Sequence, residues 1–170
     1  LHRPEPAPLR PARAWLAGAG RALQQSAPLP PFQPRTRWQG AAPRIVLGLD
    51  CSASLADDSL RLLLAEVQAI ARRSHAALHL LTFDDGLHHD MPLDPATARA
   101  TLAALDLPQG GGTDFRPVLA RAGELAPSAL VILSDMDGPN GPKPRFPVIW
   151  AAPQPDPPQA SFGHVLSLAG

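Results

Sequence analysis

The stretch RIVLGLDCSAS, residues 44–54, decides the fold of this chain. Its apolar run at 45–49 is short, uncharged and rich in branched side chains, which is typical of a buried strand in a parallel sheet. Apolar residues at helical spacing follow, at Leu60, Leu63, Leu64, Val67 and Ile70. A strand, a polar turn and a helix in this order place Asp50, Ser52 and Ser54 at the carboxyl edge of the sheet, where open α/β folds keep their sites.

The rest of the chain continues this alternation of strand and helix patterns. Strands are predicted at 78–83, 129–134, 147–151 and 164–168, with 87–93 as an antiparallel edge strand. A first helix is predicted to start near Ser59 or earlier, a second opens at Pro95 with Asp94 as N-cap, and a third covers 117–126. We therefore predict a three-layer, doubly wound, mostly parallel α/β sheet with helices on both faces. The strand at 44–49 should be central, between those at 78–83 and 129–134.

Residues 1–43 contain many of the 22 prolines and predict an arm or linker ahead of a domain at 44–170. Their prolines favour an extended polyproline conformation. A short helix is predicted at 13–25, with Trp15, Leu16 and Leu23 on one side. We interpret the arm as a linker that packs its Trp and Phe onto the domain, and a contact role for Arg35, Arg37 and Trp38 stays open.

Composition and charge narrow the classes of function. The formal net charge is +0, which argues against nucleic acid or an anionic membrane as the main partner. No apolar stretch is long enough to span a bilayer, and no signal peptide opens the chain. The single cysteine excludes an internal disulfide and fits a reducing compartment, so we expect a cytoplasmic location.

Two further segments add oxygen-bearing side chains to the edge at Asp50. The loop GGGTD, residues 110–114, delivers the hydroxyl of Thr113, and Asp135 directly follows the apolar strand pattern at 129–134. Carboxylate and hydroxyl oxygens suit Mg²⁺ or Mn²⁺ rather than zinc. The predicted metal site consists of Asp50, Ser52, Ser54, Thr113 and Asp135.

These elements resemble the metal-ion-dependent adhesion site (MIDAS) of von Willebrand factor A (VWA) domains, in which D-x-S-x-S, T and D occur in this order. The segments GGGTDF, SDMDG and FGHV resemble, more narrowly, a bacterial VWA-like domain that follows a metallopeptidase domain. The resemblance covers about residues 44–168 and implies a VWA/Rossmann-like fold. The zinc motif H-E-x-x-H does not occur in the sequence, so no protease activity is assigned to this chain.

The resemblance also implies roles for the five residues. Ser52, Ser54 and Thr113 would ligate the ion through neutral hydroxyls, and Asp50 and Asp135 would act through water and orient the hydroxyls. An ion with most of its charge left attracts the Asp or Glu carboxylate of a partner protein. The family resembles adaptors that work with AAA+ ATPases of the MoxR class, so a non-catalytic interaction module is expected.

Other interpretations stay open at this point. Ser52 and Ser54 are also compatible with helix caps, Asp135 with a solvated turn, and the glycines with a plain connection. The order Ser52, Asp135, His164 matches an α/β-hydrolase triad, although the glycines of a nucleophile elbow are absent. A metal-dependent hydrolase and the non-catalytic part of a larger metallopeptidase are the alternative functions.

Three smaller features also allow two interpretations each. The segment HHD at 88–90 is either a soft-metal cluster or, as we prefer, a solvated rim on the edge hairpin. Cys51 is expected to be a small buried residue and not a reactive thiol. Asp114 either orients the glycine loop or repels anions.

Overall fold

The structure, a computed structural model, describes residues 3–39, 43–108 and 110–169, with the backbone alone for 3–10 and 34–39. The chain forms two compact units, Leu1–Ala41 and Ala42–Gly170. In chain order the elements are β1 Arg3–Pro11, α1 Arg13–Gln24, β2 Pro34–Gln39, β3 Arg44–Asp50, α2 Asp57–Arg73, β4 Ala77–Phe83, β5 Leu87–Leu93, α3 Ala98–Ala103, α4 Phe115–Leu125, β6 Ala129–Leu133, β7 Val148–Ala152 and β8 His164–Ser167.

The second unit is built on a six-stranded sheet with the order β5-β4-β3-β6-β7-β8. β3 lies between β4 and β6 and is parallel to both, as the sequence predicts. β7 and β8 continue the sheet in parallel, and β5 alone runs antiparallel, against β4. The predicted mostly parallel α/β fold is confirmed. Because parallel strands end at one edge, the residues that follow β3 and β6 come together.

Each face of this sheet carries its own apolar core. On one face, α2 and α3 pack Leu63, Val67 and Leu102 over the sheet residues Leu47 and Leu80. On the other face, α4 packs over β3, β4, β6 and β7 with the following buried side chains: Val46, Leu81, Phe83, Phe115, Val118, Ala122, Leu130, Ile132 and Trp150. Branched strand residues are therefore buried on both sides, which explains the continuous apolar runs in the sequence.

Two helix starts differ from the sequence prediction. α3 begins at Ala98 rather than at Pro95, because Asp94 and Pro95 form a turn in which Asp94 Oδ1 accepts a hydrogen bond of 2.9 Å from the amide of Ala96. α4 begins at Phe115, two residues before Pro117. Proline is tolerated there because the first-turn amides of a helix have no intrahelical acceptor.

The first unit also differs from the polyproline expectation, because β1 and β2 pair as an antiparallel two-stranded sheet. Prolines at alternate positions, Pro4, Pro6 and Pro8, remove donors from one side of β1 only, so the intervening amides remain for β2. Between the strands, α1 lies within the predicted helical span. Its Trp15 stacks edge-on with Phe32, with a ring-centroid distance of 5.3 Å.

Candidate functional site

All five predicted site residues lie at the carboxyl edge of the six-stranded sheet or in the loops beside it. Asp50 is the last residue of β3, and Ser52 and Ser54 follow it in the turn before α2. Asp135 comes two residues after the end of β6, and Thr113 precedes the N-cap of α4. The identity of these residues as metal ligands stays a prediction, and the hydrogen bonds below describe how the chain holds them.

Asp50 is the buried centre of the site, with its side chain held by two donors. Oδ1 accepts from the amide of Ser52 at 2.8 Å, and Oδ2 accepts from the hydroxyl of Ser134 at 2.5 Å. Burial raises the pKa of Asp50 and the nearby charge of Asp135 raises it further, while the bonds from Ser134 and Ser52 act in the opposite direction. A buried carboxylate in this position gains from a nearby cation.

Ser52 and Ser54 present two neighbouring hydroxyls, whose oxygens lie 3.0 Å apart. Ser52 is buried and Ser54 is exposed, so the pair connects the interior to the surface. α2 begins only at Asp57, with Ala56 as N-cap and no side-chain cap. The interpretation of the two serines as helix caps is therefore wrong.

Asp135 sits in a tight turn whose backbone is strained. The next residue, Met136, is buried and has a φ of 65°, in the left-handed region that non-glycine residues rarely adopt. The hydroxyl of Ser134 accepts the Met136 amide at 2.9 Å and holds this conformation. Asp135 Oδ1 accepts from the Asp137 amide at 3.2 Å, and its backbone carbonyl accepts from Gln154 Nε2 at 2.7 Å.

Thr113 lies against Gly138, which comes three residues after Asp135. A Cβ at Gly138 would lie 2.8 Å from the Thr113 carbonyl oxygen and 3.1 Å from the Thr113 Cβ. The glycine loop is tied to β4 on its other side, because the amide of Asp114 donates to the carbonyl of Asp84 at 2.8 Å. The loop is thus more than a plain connection.

Asp114, whose role the sequence leaves open, caps α4. Its Oδ1 accepts from the amide of Arg116 at 2.9 Å, and its carboxylate also binds the Arg116 side chain, with Nη2 at 2.7 Å from Oδ2. These bonds lower the pKa of Asp114, the side-chain bond from Arg116 having the largest effect. The cap fixes the helix start directly after Thr113.

Asp84 and Ser134 are site neighbours that the sequence analysis does not single out. Asp84 is buried, and its Oδ1 lies 2.8 Å from His88 Nε2 and accepts from the Gly86 amide at 3.0 Å. Burial opposes its ionisation, but the bonds from Gly86 and His88 outweigh burial and lower its pKa. The sequence contained a signal for both residues, because each lies at the carboxyl end of a predicted strand, at the edge that holds the site. Asp84 follows β4, which neighbours β3, and Ser134 follows β6.

The segment at 88–90 is not a metal cluster, because its three side chains bind different partners. His88 pairs with Asp84, His89 Nδ1 lies 2.8 Å from the Thr82 hydroxyl, and Asp90 lies between His79 and Arg121. The preferred view of a solvated rim is incomplete, since each exposed or half-buried side chain also has a specific partner. Cys51 is 1% exposed, and burial raises the pKa of its thiol to about 12.

The hydrolase triad is contradicted by the strand register. His164 is the first residue of β8, and the pairing of β8 with β7, β6 and β3 places it level with Leu47. Ser52 follows Asp50, which is three residues further along β3, roughly 10 Å away along the strand direction. The histidine is therefore level with the middle of β3, whereas the serine lies beyond the carboxyl end of that strand.

The oxygens of the candidate set are of the hard type that Mg²⁺ or Mn²⁺ prefers. The Ser52 and Ser54 hydroxyls form a hydrogen bond of 3.0 Å with each other, a separation that two adjacent ligands of one ion at about 2.1 Å would also have. Among the described residues, no three side chains of the types His, Cys, Asp and Glu form a metal-binding group. The candidate set has two such residues and three hydroxyls, so its chemistry is that of a hard-oxygen site with low ligand charge.

The six-stranded, mostly parallel sheet with helices on both faces is consistent with a VWA-like fold. Residues 45–169 match the family model described as VWA-like domain (DUF2201), and the chain belongs to this family. A comparison with curated proteins found no match.

Several solved structures are similar in fold. BatB from Bacteroides thetaiotaomicron, described as a conserved hypothetical protein, has 14% identity and a TM-score of 0.51 over 72% of this chain and 78% of its own. An aerotolerance-related membrane protein from Bacteroides fragilis has 15% identity and a TM-score of 0.49, covering 69% and 77%. A von Willebrand factor type A structure from Catenulispora acidiphila has 17% identity and a TM-score of 0.47, and the match covers 69% of this chain and 34% of that one. At these identities the likeness concerns the fold alone.

The helices of the described residues give no membrane span. None of them combines the length and the apolar composition that crossing a bilayer requires.

Proposed function

We propose that residues 42–170 form a divalent-metal-dependent protein-interaction module that binds a carboxylate of a partner protein. The observation that carries this proposal is the environment of Asp50. Its buried carboxylate is held by a hydroxyl and an amide, beside Asp135 and two adjacent serine hydroxyls. Within the described residues, no Lys or Arg forms an ion pair with Asp50 or Asp135.

The resemblance to VWA metal sites supplies the roles that we assign to the residues. Ser52, Ser54 and Thr113 would hold the ion through their hydroxyls, and Asp50 and Asp135 would orient the hydroxyls and bound water. The ion, when bound, supplies positive charge and an exchangeable coordination position. Ser52 is buried beside Asp50 and Ser54 is exposed, so the ligands extend from the carboxylate to the surface.

A partner carboxylate is the complement that this ligand set favours. Three neutral hydroxyls leave most of the charge of a divalent ion uncompensated, and an Asp or Glu from another protein would balance it. The family resemblance extends this to an AAA+ ATPase of the MoxR class as the partner. The domain would then act as an adaptor, and we assign no catalytic residue to it.

The proposal is tested by capturing partners from the source cell with and without EDTA. Asp135→Asn is the informative variant, because its side-chain oxygen can still accept the bond from the Asp137 amide while the charge is lost. Asp106→Asn is the matched control, since Asp106 is an exposed carboxylate outside the site.

We expect a set of proteins that EDTA and Asp135→Asn both release and that the control variant retains. A Glu→Gln or Asp→Asn change in a captured partner should reproduce the loss. Capture of the same proteins under all conditions would contradict a metal-bridged contact.

A further inference from the structure

An apolar groove lies between α4 and the loop that precedes β7, and none of the five candidate metal-site residues lines it. It is a cavity of about 490 Å³ between the helix residues Leu119 and Ala120 and the loop residues Pro142, Pro144 and Phe146. A second cavity of about 260 Å³ shares Pro144 and Phe146 and continues towards the start of β8.

The walls of the groove are fixed by the backbone of the loop. Gly141 has a φ of 67°, and a Cβ there would lie 3.2 Å from Leu119 Cδ1 and 3.3 Å from Arg116 Cγ. Glycine at this position lets the loop contact α4 before it diverges over the groove. Pro142 and Pro144 then restrict the backbone of the loop, so little conformational entropy would be lost from this wall when a ligand binds.

The rim of the groove carries three cations, Arg116, Lys143 and Arg145. Arg116 is bound to Asp114, whereas within the described residues Lys143 and Arg145 form no ion pair. Outside the first unit the chain has nine basic and fourteen acidic residues, so a rim with three of those nine cations stands out from an acidic background.

We propose that this groove binds an acidic peptide segment of a partner protein, with an apolar side chain seated between α4 and Phe146. The apolar walls call for a Leu- or Phe-type anchor, and the free charges of Lys143 and Arg145 call for flanking Asp or Glu. The chain's own residues 1–41 fit this chemistry poorly, because they contain six arginines and a single acidic residue. This contact is separate from the metal site.

Lys143 provides a direct reporter, because it is the only lysine in the sequence. Reductive ¹³C-methylation keeps its charge and gives one lysine methyl signal in an NMR spectrum, beside that of the amino terminus. The probe is a short capped peptide with Leu-Phe-Leu flanked by glutamates. Two comparison peptides replace either the apolar residues by serine or the glutamates by lysine. EDTA is present throughout, so carboxylate binding at the metal site does not contribute.

Gly123 offers a matched pair of variants. It lines the groove from within α4, and a Cβ there would lie 3.8 Å from Phe146 Cε1, which is ordinary contact. Gly123→Ala therefore leaves most of the groove open, whereas Gly123→Leu fills it, and both residues favour a helix more than glycine does. Circular dichroism and thermal unfolding would test whether both variants fold.

We expect the Lys143 methyl signal to shift saturably with the acidic, apolar peptide and to respond to neither comparison peptide. Gly123→Leu should weaken binding by about ten-fold or more, which is the scale of a lost buried anchor, and Gly123→Ala should keep it. Because the response is measured in EDTA it does not involve the metal site, which separates this proposal from the metal-dependent function, and the exposed control Asp106→Asn should bind the peptide like the wild type. An equal response to the serine peptide, no response at all, or unchanged binding by Gly123→Leu would overturn the proposal. A shift on changing protein concentration alone would also overturn it, in favour of a second copy of the chain.

Discussion

Replacing Gly138 by alanine should separate Thr113 from the rest of the candidate site. The new Cβ would lie 2.8 Å from the Thr113 carbonyl oxygen, closer than real Cβ atoms approach backbone, and 3.4 Å from Phe115 Cε2. Gly138 is not among the glycines with positive φ, so the cost is one of space and not of backbone conformation. Overpacking of this kind costs about 1–3 kcal/mol.

The strain can be relieved in two ways, and both are measurable. If the glycine loop stays in place, the free energy of unfolding in EDTA falls by the full amount. If the loop moves away, less stability is lost, but Thr113 leaves the turn of Asp135 and the affinity for Mn²⁺ falls by about ten-fold for each 1.4 kcal/mol of lost binding. Urea unfolding with EDTA and a Mn²⁺ titration of the same sample measure the two costs separately.

Gly86→Ala is the control for this experiment, because a Cβ at Gly86 would meet nothing within 4 Å. The control should match the wild-type protein in both measurements. If Gly138→Ala also matches the wild type in stability and in Mn²⁺ affinity, the contact between the two loops does not hold Thr113 at the site and the reasoning is refuted.

Four further outcomes are expected. Ser134→Ala should lower the free energy of unfolding by about 1–3 kcal/mol, since it leaves a buried carboxylate oxygen of Asp50 without a donor; an unchanged urea midpoint would contradict this. Asp90→Asn should lower the free energy of unfolding by less than about 1 kcal/mol at neutral pH, because the Asp90 carboxylate is about one-third exposed and its ion pairs are screened by water. The bonds from Arg121 and then His79 lower the pKa of Asp90 in the folded protein. The stability that Asp90 contributes is therefore fully present above its pKa in the unfolded chain and is lost as the pH falls through its pKa in the folded protein. A difference in stability between the variant and the wild type that persists in strong acid would contradict this. Cys51 should react with a maleimide only on unfolding, and rapid labelling of the native protein would show that the burial is wrong. No turnover of esters or phosphoesters is expected, and metal-dependent turnover that Ser52→Ala removes would reverse the assignment as a non-enzyme.

The sheet was predictable because its strands are apolar on both faces and their ends are marked by polar residues. The run at 45–49 and the strand before Asp135 have no competing pattern, and parallel neighbours share an edge. The same logic places Asp50 and Asp135 at one edge of the sheet from the sequence alone. The edge strand β5 was predictable from its turn signal and its antiparallel return.

Most of the features that the sequence did not predict depend on contacts between segments far apart in the chain. Ser134 looked like the end of a strand, and only the register of β3 with β6 brings its hydroxyl to Asp50. The start of α3 shifted because Asp94 bonds within a turn. The pairing of β1 with β2 was hidden by prolines, whose effect on one side of a strand resembles a polyproline pattern. The groove beside α4 has no periodic signal, because a loop forms one of its walls.

Binding of Mn²⁺ to the intact chain, measured by electron paramagnetic resonance, tests the central claim most directly. The wild-type protein and Asp106→Asn should bind the ion at a single site, and Mg²⁺ should compete for it. Asp50→Asn should bind much more weakly although it is folded, since the amide can still accept from Ser52 but carries no charge. Equal binding by Asp50→Asn and wild type, or no binding by the wild type at millimolar Mn²⁺, would contradict a metal site at this edge of the sheet.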